Sequence, residues 1–105
     1  MLHVEKMTPI DFAYAVELAN TMDWKMCQQD FELSSKLEPE GCLVLYHDQT
    51  RIGISTCVSY ERIGWFGNLV VDKEHRNKGG GALLLQKATM YLKTKGEDYR
   101  CLCIQ

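Results

Sequence analysis

The residues best placed to do chemistry lie in one stretch, Asn68-Leu69-Val70-Val71-Asp72-Lys73-Glu74-His75-Arg76-Asn77-Lys78-Gly79-Gly80-Gly81-Ala82. An apolar strand runs into a charged loop, then into three glycines, then into an apolar-periodic helix. The first N–H groups of a helix have no internal partner, and the helix dipole gathers partial positive charge there. Glycine lets a ligand approach the backbone, because no Cβ stands in the way. Arg76 and Lys78 add charge to the same loop. The chemistry this suits is the holding of an anion, a phosphate or diphosphate above all. An isolated glycine triplet is only a turn, and Lys73, Arg76 and Lys78 alone would be only a solvated loop face. The strand before and the helix after make this stretch an anion site.

Two familiar phosphate loops do not fit. A P-loop needs G-x-x-x-x-G-K-[ST], and no Lys-Ser or Lys-Thr follows these glycines. The dinucleotide pattern G-x-G-x-x-G is absent, because Leu84 stands where its last glycine would be.

The elements that must position this loop can be read outward from it. Ile63 to Val71 is a strand interrupted by Gly64 and Gly67, which suits a bulge or a close backbone approach. Gly79 or Gly80 to Lys95 is a helix, with Ala82, Leu84, Leu85, Ala88, Tyr91 and Leu92 on its apolar side. Tyr99 to Ile104 is a last strand, parallel to the first of this β-α-β unit. Upstream, Leu2 to Met7 alternates as a strand. Thr8-Pro9-Ile10-Asp11 opens a helix that runs to about Asn20, with Thr8 as cap. Residues 21–27 connect it to a second helix, Gln28 to Leu37, whose inner side carries Phe31, Ser34 or Ser35, and Leu37. Cys42–His47 and Arg51–Tyr60 form a hairpin around Asp48-Gln49-Thr50. The order is β-α-α-β-β-β-α-β, an α+β (mixed α/β) fold in one domain over residues 1–105.

Composition supports a globular chain. Of 105 residues, 46% are hydrophobic and 25% charged, which leaves no room for a disordered or fibrous class. No run reaches the roughly 18 apolar residues that cross a bilayer, and the first residues lack a signal core. A cytoplasmic protein is expected. The net charge of −2 argues against general nucleic-acid binding. Residues 1–64 carry five Lys/Arg and ten Asp/Glu, whereas residues 65–105 carry seven and four, so the carboxyl part can attract an anion locally. Cys27, Cys42, Cys57, Cys101 and Cys103 show no C-x-x-C spacing. Reduced thiols are expected, and no metal site.

Arg76-x-x-Gly79-x-Gly81-Ala82 resembles the [Q/R]-x-x-G-x-[G/A] signature of the GNAT superfamily of N-acetyltransferases. The element order is also similar to theirs, with the likeness concentrated in residues 63–104. The resemblance implies a GNAT-like mixed sheet with a parallel β4-α3-β5 unit, and acetyl-CoA as co-substrate. The backbone of Leu69, Val70 and Val71 would pair with the pantetheine arm. Arg76, Asn77, Lys78, Gly79, Gly80, Gly81 and Ala82 would hold the diphosphate. The implied reaction is direct attack of a primary amine on the thioester. The alternative is a catalytically incomplete module that binds CoA or another protein.

The departures concern the chemistry rather than the cradle. Asn77 and Gly80 stand where the family often has glycine and an aliphatic residue. The family's fourth helix and last two strands have no counterpart within residues 1–105, so no general acid is assigned. Glu61 and Glu74 are the weak candidate bases, each reading first as a solvated loop residue. Asn68 is an amide and takes no proton. His75 carries an imidazole but sits on the phosphate side. Tyr60, Trp65 and Phe66 suit an acceptor groove or a core. Asp23, Asp30, Glu32, Glu38 and Glu40 would favour a cationic acceptor, a small molecule or a protein amine, or simply face solvent. The 99–104 edge calls for a cover: a second copy of the chain, a further carboxyl segment or a partner.

Overall fold

The computed structural model describes residues 1–60, 63–76, 78–94 and 98–101, with side chains over 1–57, 69–76 and 78–93. Five strands form one mixed sheet in the order β1-β2-β3-β4-β5. They are β1 (Leu2–Lys6), β2 (Leu43–His47), β3 (Thr50–Tyr60), β4 (Ile63–Val71) and β5 (Asp98–Cys101). Neighbours are antiparallel except β4 and β5, which run parallel from Ile63↔Asp98 to Phe66↔Cys101. Helices α1 (Phe12–Asn20) and α2 (Gln28–Leu37) cover one face and α3 (Gly80–Thr94) the other.

Strand alternation sorts the two cores. Val44, Ile54 and Val70 face the α1–α2 side with Phe12, Ala15 and Phe31. Leu43, Leu45 and Val71 face α3, where Leu84, Ala88 and Leu92 meet them. Cys42 and Cys57 belong to opposite cores and are both fully buried free thiols, while Cys27 is exposed. Burial pushes the Cys42 thiol up to about 11 and the Cys57 thiol up to about 12. Cys101 and Cys103 have side chains outside the described residues.

Several expectations need correction. The first helix does not start at Pro9: Pro9–Asp11 is a 3-10 turn, and the α-helix begins at Phe12. The reason is local. Asp11 turns back to accept the Thr8 N–H at 2.8 Å and the Thr8 hydroxyl at 3.1 Å, which tightens the turn ahead of the helix. Leu37 is 57% exposed rather than inward, because the helix ends there and Glu38 is the buried residue. In α3, Ala82 is exposed and Leu85 is 43% exposed. Gly80 takes the inward place in the first turn instead. Among the described residues, no helix is long and apolar enough to cross a membrane.

Two bulges shape the sheet near the site. On β3, Ile52 is the extra residue between Leu45↔Gly53 and Tyr46↔Arg51. On β4, Asn68 and Leu69 together oppose Ser55, between Gly67↔Thr56 and Val70↔Ile54. The irregularity therefore falls next to Gly67 rather than at a glycine.

Candidate functional site

The site begins where β4 ends. Asp72 donates its N–H to the Ile52 carbonyl at 2.6 Å. Peptide groups alternate sides along an antiparallel strand, so the Val71 N–H and C=O face away from β3, toward the β5 side. Val70 pairs with Ile54, and its peptide groups face β3. The parallel pairing with β5 reaches only Phe66 among the described residues. Val71 thus presents main-chain groups on an edge that no described strand covers.

The loop then doubles back. Asp72 caps a short 3-10 turn, Lys73–His75: its Oδ1 accepts the Glu74 N–H at 3.0 Å, and its carbonyl accepts the His75 N–H at 2.8 Å. Arg76 returns to the strand, its Nε donating to the Val71 carbonyl at 2.9 Å. Gly79 has φ +84°, in the left-handed region where a side chain is strained, and open space surrounds its missing Cβ. A Cβ on Gly80 would lie 2.5 Å from Leu45 Cδ2, so glycine there lets the helix start approach the sheet. Leu45 also sits over Gly53, whose added Cβ would meet it at 3.3 Å. One leucine therefore fills the room that two glycines leave.

The helix start is open. Leu83 N–H bonds to the Gly79 carbonyl at 3.1 Å. The N–H groups of Gly80, Gly81 and Ala82 find no acceptor among the described residues. Gly80 and Gly81 line a cleft of about 380 Å³. β4 contributes Leu69, Val70 and Val71 to its lining; the loop adds His75 and Arg76; α3 adds Gly80 and Gly81; and Met22 closes it from the α1–α2 link. Lys78 is exposed, with its Nζ 3.5 Å from His75 Nδ1. The His75 ring lies 5.9 Å from that of His47. Amides without an acceptor among the described residues, a dipole end and the Arg76 and Lys78 side chains are features that suit an anion, and a partly apolar channel leads from them along β4.

The expected cofactor residues are brought together here: Leu69, Val70, Val71, Arg76, Gly80 and Gly81 line one cleft, with Lys78, Gly79 and Ala82 beside it. Asn77 and Glu61 lie outside the described residues, as do the side chains of Asn68, Tyr60, Trp65 and Phe66. Glu74 is exposed and is not part of the cleft lining. Glu38 is not a solvated face: it is 4% exposed and accepts a hydrogen bond from Tyr91 Oη. Nothing in the sequence marks Met22 as a site residue. It sits in a link far upstream of Leu69, and only the packing of α1 against β4 brings it there. Arg51 carries no sequence signal either. It pairs with buried Asp11 at 2.6 Å and lies over the Tyr46 ring, 6.0 Å from its centroid.

A mixed five-stranded sheet, a bulged fourth strand and a glycine turn into an open helix end define the acetyltransferase class of fold. The family described as Acetyltransferase (GNAT) family matches residues 8–104, and the chain belongs to it. No curated protein sequence matches the chain significantly. Among solved structures, Ard1 from Thermoplasma volcanium has a TM-score of 0.85 at 17% identity, covering 91% of this chain and 66% of its own. A GNAT-family acetyltransferase from Staphylococcus aureus Mu50 has a TM-score of 0.83 at 17% identity, covering 99% and 74%. N-acetylglutamate synthase from Neisseria gonorrhoeae, solved with coenzyme A and N-acetyl-glutamate, has a TM-score of 0.81 at 14% identity, covering 92% and 24%. The chain spans less than two thirds of the length of the archaeal and neisserial proteins. At such identities the likeness is one of fold.

Proposed function

We propose that this chain is an acetyl-CoA-dependent N-acetyltransferase, or the cofactor-binding part of one, acting on a primary amine. Acetyl transfer is the general reaction of its family. The observation that carries the proposal is the row of N–H groups at Gly80, Gly81 and Ala82 with no acceptor among the described residues, where Gly80 and Gly81 line a cleft shared with β4. A diphosphate would take those N–H groups, with Arg76 and Lys78 beside it. The open edge at Val71 would hold an amide-bearing arm as a further strand would be held. Leu69, Val70 and Met22 would exclude water from the thioester.

The transfer itself needs a neutral amine. Its nitrogen attacks the thioester carbonyl, the C–S bond breaks, the amine's proton passes to a base and the thiolate takes one up. An N–H fixed on β4 would steady the negative charge on the carbonyl oxygen. Glu61 and Glu74 are the candidate bases; Glu74 would need to reach the cleft from its exposed turn.

The test is a titration of the full chain with coenzyme A, followed by calorimetry and by amide NMR. The expected result is measurable heat with shifts over residues 69–71 and 76–82. No heat and no thermal stabilisation at millimolar ligand would defeat the proposal.

A further inference from the structure

Arg76 makes two contacts across the cleft mouth. Its Nε donates to the Val71 carbonyl at 2.9 Å, and its Nη2 lies 3.6 Å from Met22 Sδ. The first contact occupies the main-chain acceptor that faces the open edge of β4. The second reaches the α1–α2 link on the other wall. The same side chain starts three residues before Gly79, at the lip of the anion cradle. We infer that Arg76 is a latch: in the free chain it is a positioning residue that closes the Val71 carbonyl and tethers Met22, and it is exchanged for the ligand on binding. The inference rests on the coenzyme A reading of this cleft.

The chemistry favours an exchange over a permanent tie. The Val71 carbonyl faces the open edge of β4 with Arg76 Nε as its donor, so a ligand amide would compete for the same acceptor. A thioether sulfur is a weak acceptor, and Arg76 is exposed, so the latch uses only part of its five donors. A diphosphate offers the same group charge-assisted, bidentate partners a short swing away. The Met22 wall is built to receive the contact. Asn20 pins the link by accepting the Met26 N–H at 2.9 Å and donating to the Met26 carbonyl at 3.3 Å. Asp23 and Lys25 hold φ of 63° and 55° within it, a conformation side chains rarely adopt and one that marks a shaped loop. On binding, an amide N–H of the ligand would replace Arg76 Nε at Val71, and the guanidinium would turn to the phosphates. No bond other than hydrogen bonds changes.

The experiment follows the Arg76 Nε–H resonance and the Val71 carbonyl carbon while coenzyme A is added to the isotope-labelled full chain. The Nε–H is expected to be distinct and slowly exchanging in the free protein. It should then shift in proportion to the bound fraction, together with the Gly80–Ala82 amides and the Val71 carbonyl. If the Gly80–Ala82 amides move while Arg76 Nε–H and the Val71 carbonyl keep their free-state positions, the latch is overturned and the binding reading stands. If no resonance responds at millimolar coenzyme A, the binding reading fails and the latch with it.

Discussion

Two of the chain's helical segments start beside one sheet and treat their amino ends in opposite ways. At Thr8–Asp11 the segment supplies its own anion. The Asp11 carboxylate takes the Thr8 N–H and hydroxyl, and Arg51 balances it at 2.6 Å. At Gly79–Ala82 the helix start has no carboxylate, no side chain beyond Ala82's methyl, and cations alongside. Its N–H groups are left without acceptors among the described residues. A helix start that carries its own carboxylate has no use for a ligand's. One stripped to backbone, with Arg76 and Lys78 beside it, is the kind of helix start that the proposed anion would complete.

The largest expected effect comes from converting the second helix start into the first. Gly81→Glu places a carboxylate in the opening turn of α3, and a Cβ there has room, its nearest neighbour being Val71 Cγ2 at 3.9 Å. The dipole favours a negative side chain at that point, so the fold should hold. Coenzyme A affinity should fall about 100-fold or more, roughly 3 kcal/mol. Unchanged affinity in calorimetry would break the contrast between the self-capped and the open helix start.

Removing the internal anion is the reciprocal change. Asp11→Ala leaves the Thr8 N–H and the half-buried Arg51 without their partner. It should cost about 2 kcal/mol, a fall of roughly 10 °C in the thermal midpoint for a domain this size. Coenzyme A affinity should stay within about twofold. A loss of affinity with unchanged stability would reverse the roles assigned to the two helix starts.

The glycine that lets α3 approach the sheet gives a smaller effect. Gly80→Ala gains helix propensity of ~1 kcal/mol but drives a Cβ to 2.5 Å from Leu45 Cδ2. The net cost should be about 1 kcal/mol. Leu45→Val should make its own cavity, and the double variant should be more stable than the sum of the two predicts. Strict additivity in urea unfolding would show that Leu45 does not set the approach.

What is readable in the sequence follows from where local signals decide. Pro39 and Gly41 stop α2, and the apolar pattern of Ile63–Val71 together with the glycine triplet fixes β4 and the start of α3. The structure places those elements at Gln28–Leu37, Ile63–Val71 and Gly80. The family signature sits in the same stretch, so the fold and the placement of the candidate cradle are legible together. Tertiary packing decides the rest. Leu85 and Ala82 face outward, while Gly80, close against Leu45, shares the inward face with Leu84, Ala88 and Leu92. Met22 and the Arg76 contacts depend on two loops far apart in the chain. No residue type near Met22 announces that meeting. In the sequence Asp11 is only a charge suited to a helix dipole; its ion pair with Arg51, forty residues on, requires the sheet.

The smallest effect follows the charge of the first helix start through acid. Burial of Asp11 pushes its pKa up, but the Thr8 backbone N–H, Arg51 and the Thr8 hydroxyl together outweigh that and hold it below the ordinary carboxylate value of 3.8. The unfolded chain therefore takes up a proton at this residue at a higher pH than the folded chain does. Between the two values the unfolded state binds more protons, so stability rises with pH. Asp11's contribution is complete above about pH 5, and it drains away as pH falls through the unfolded value and then through the lower folded value. Asp11→Asn keeps the shape and cannot titrate. The stability gap between it and the natural chain, from urea unfolding between neutral and strongly acid pH, should be widest near pH 6 and narrow below about pH 4. A gap of constant width would mean that Asp11 contributes shape alone, and that the self-capped and open helix starts differ less in charge than their contacts indicate.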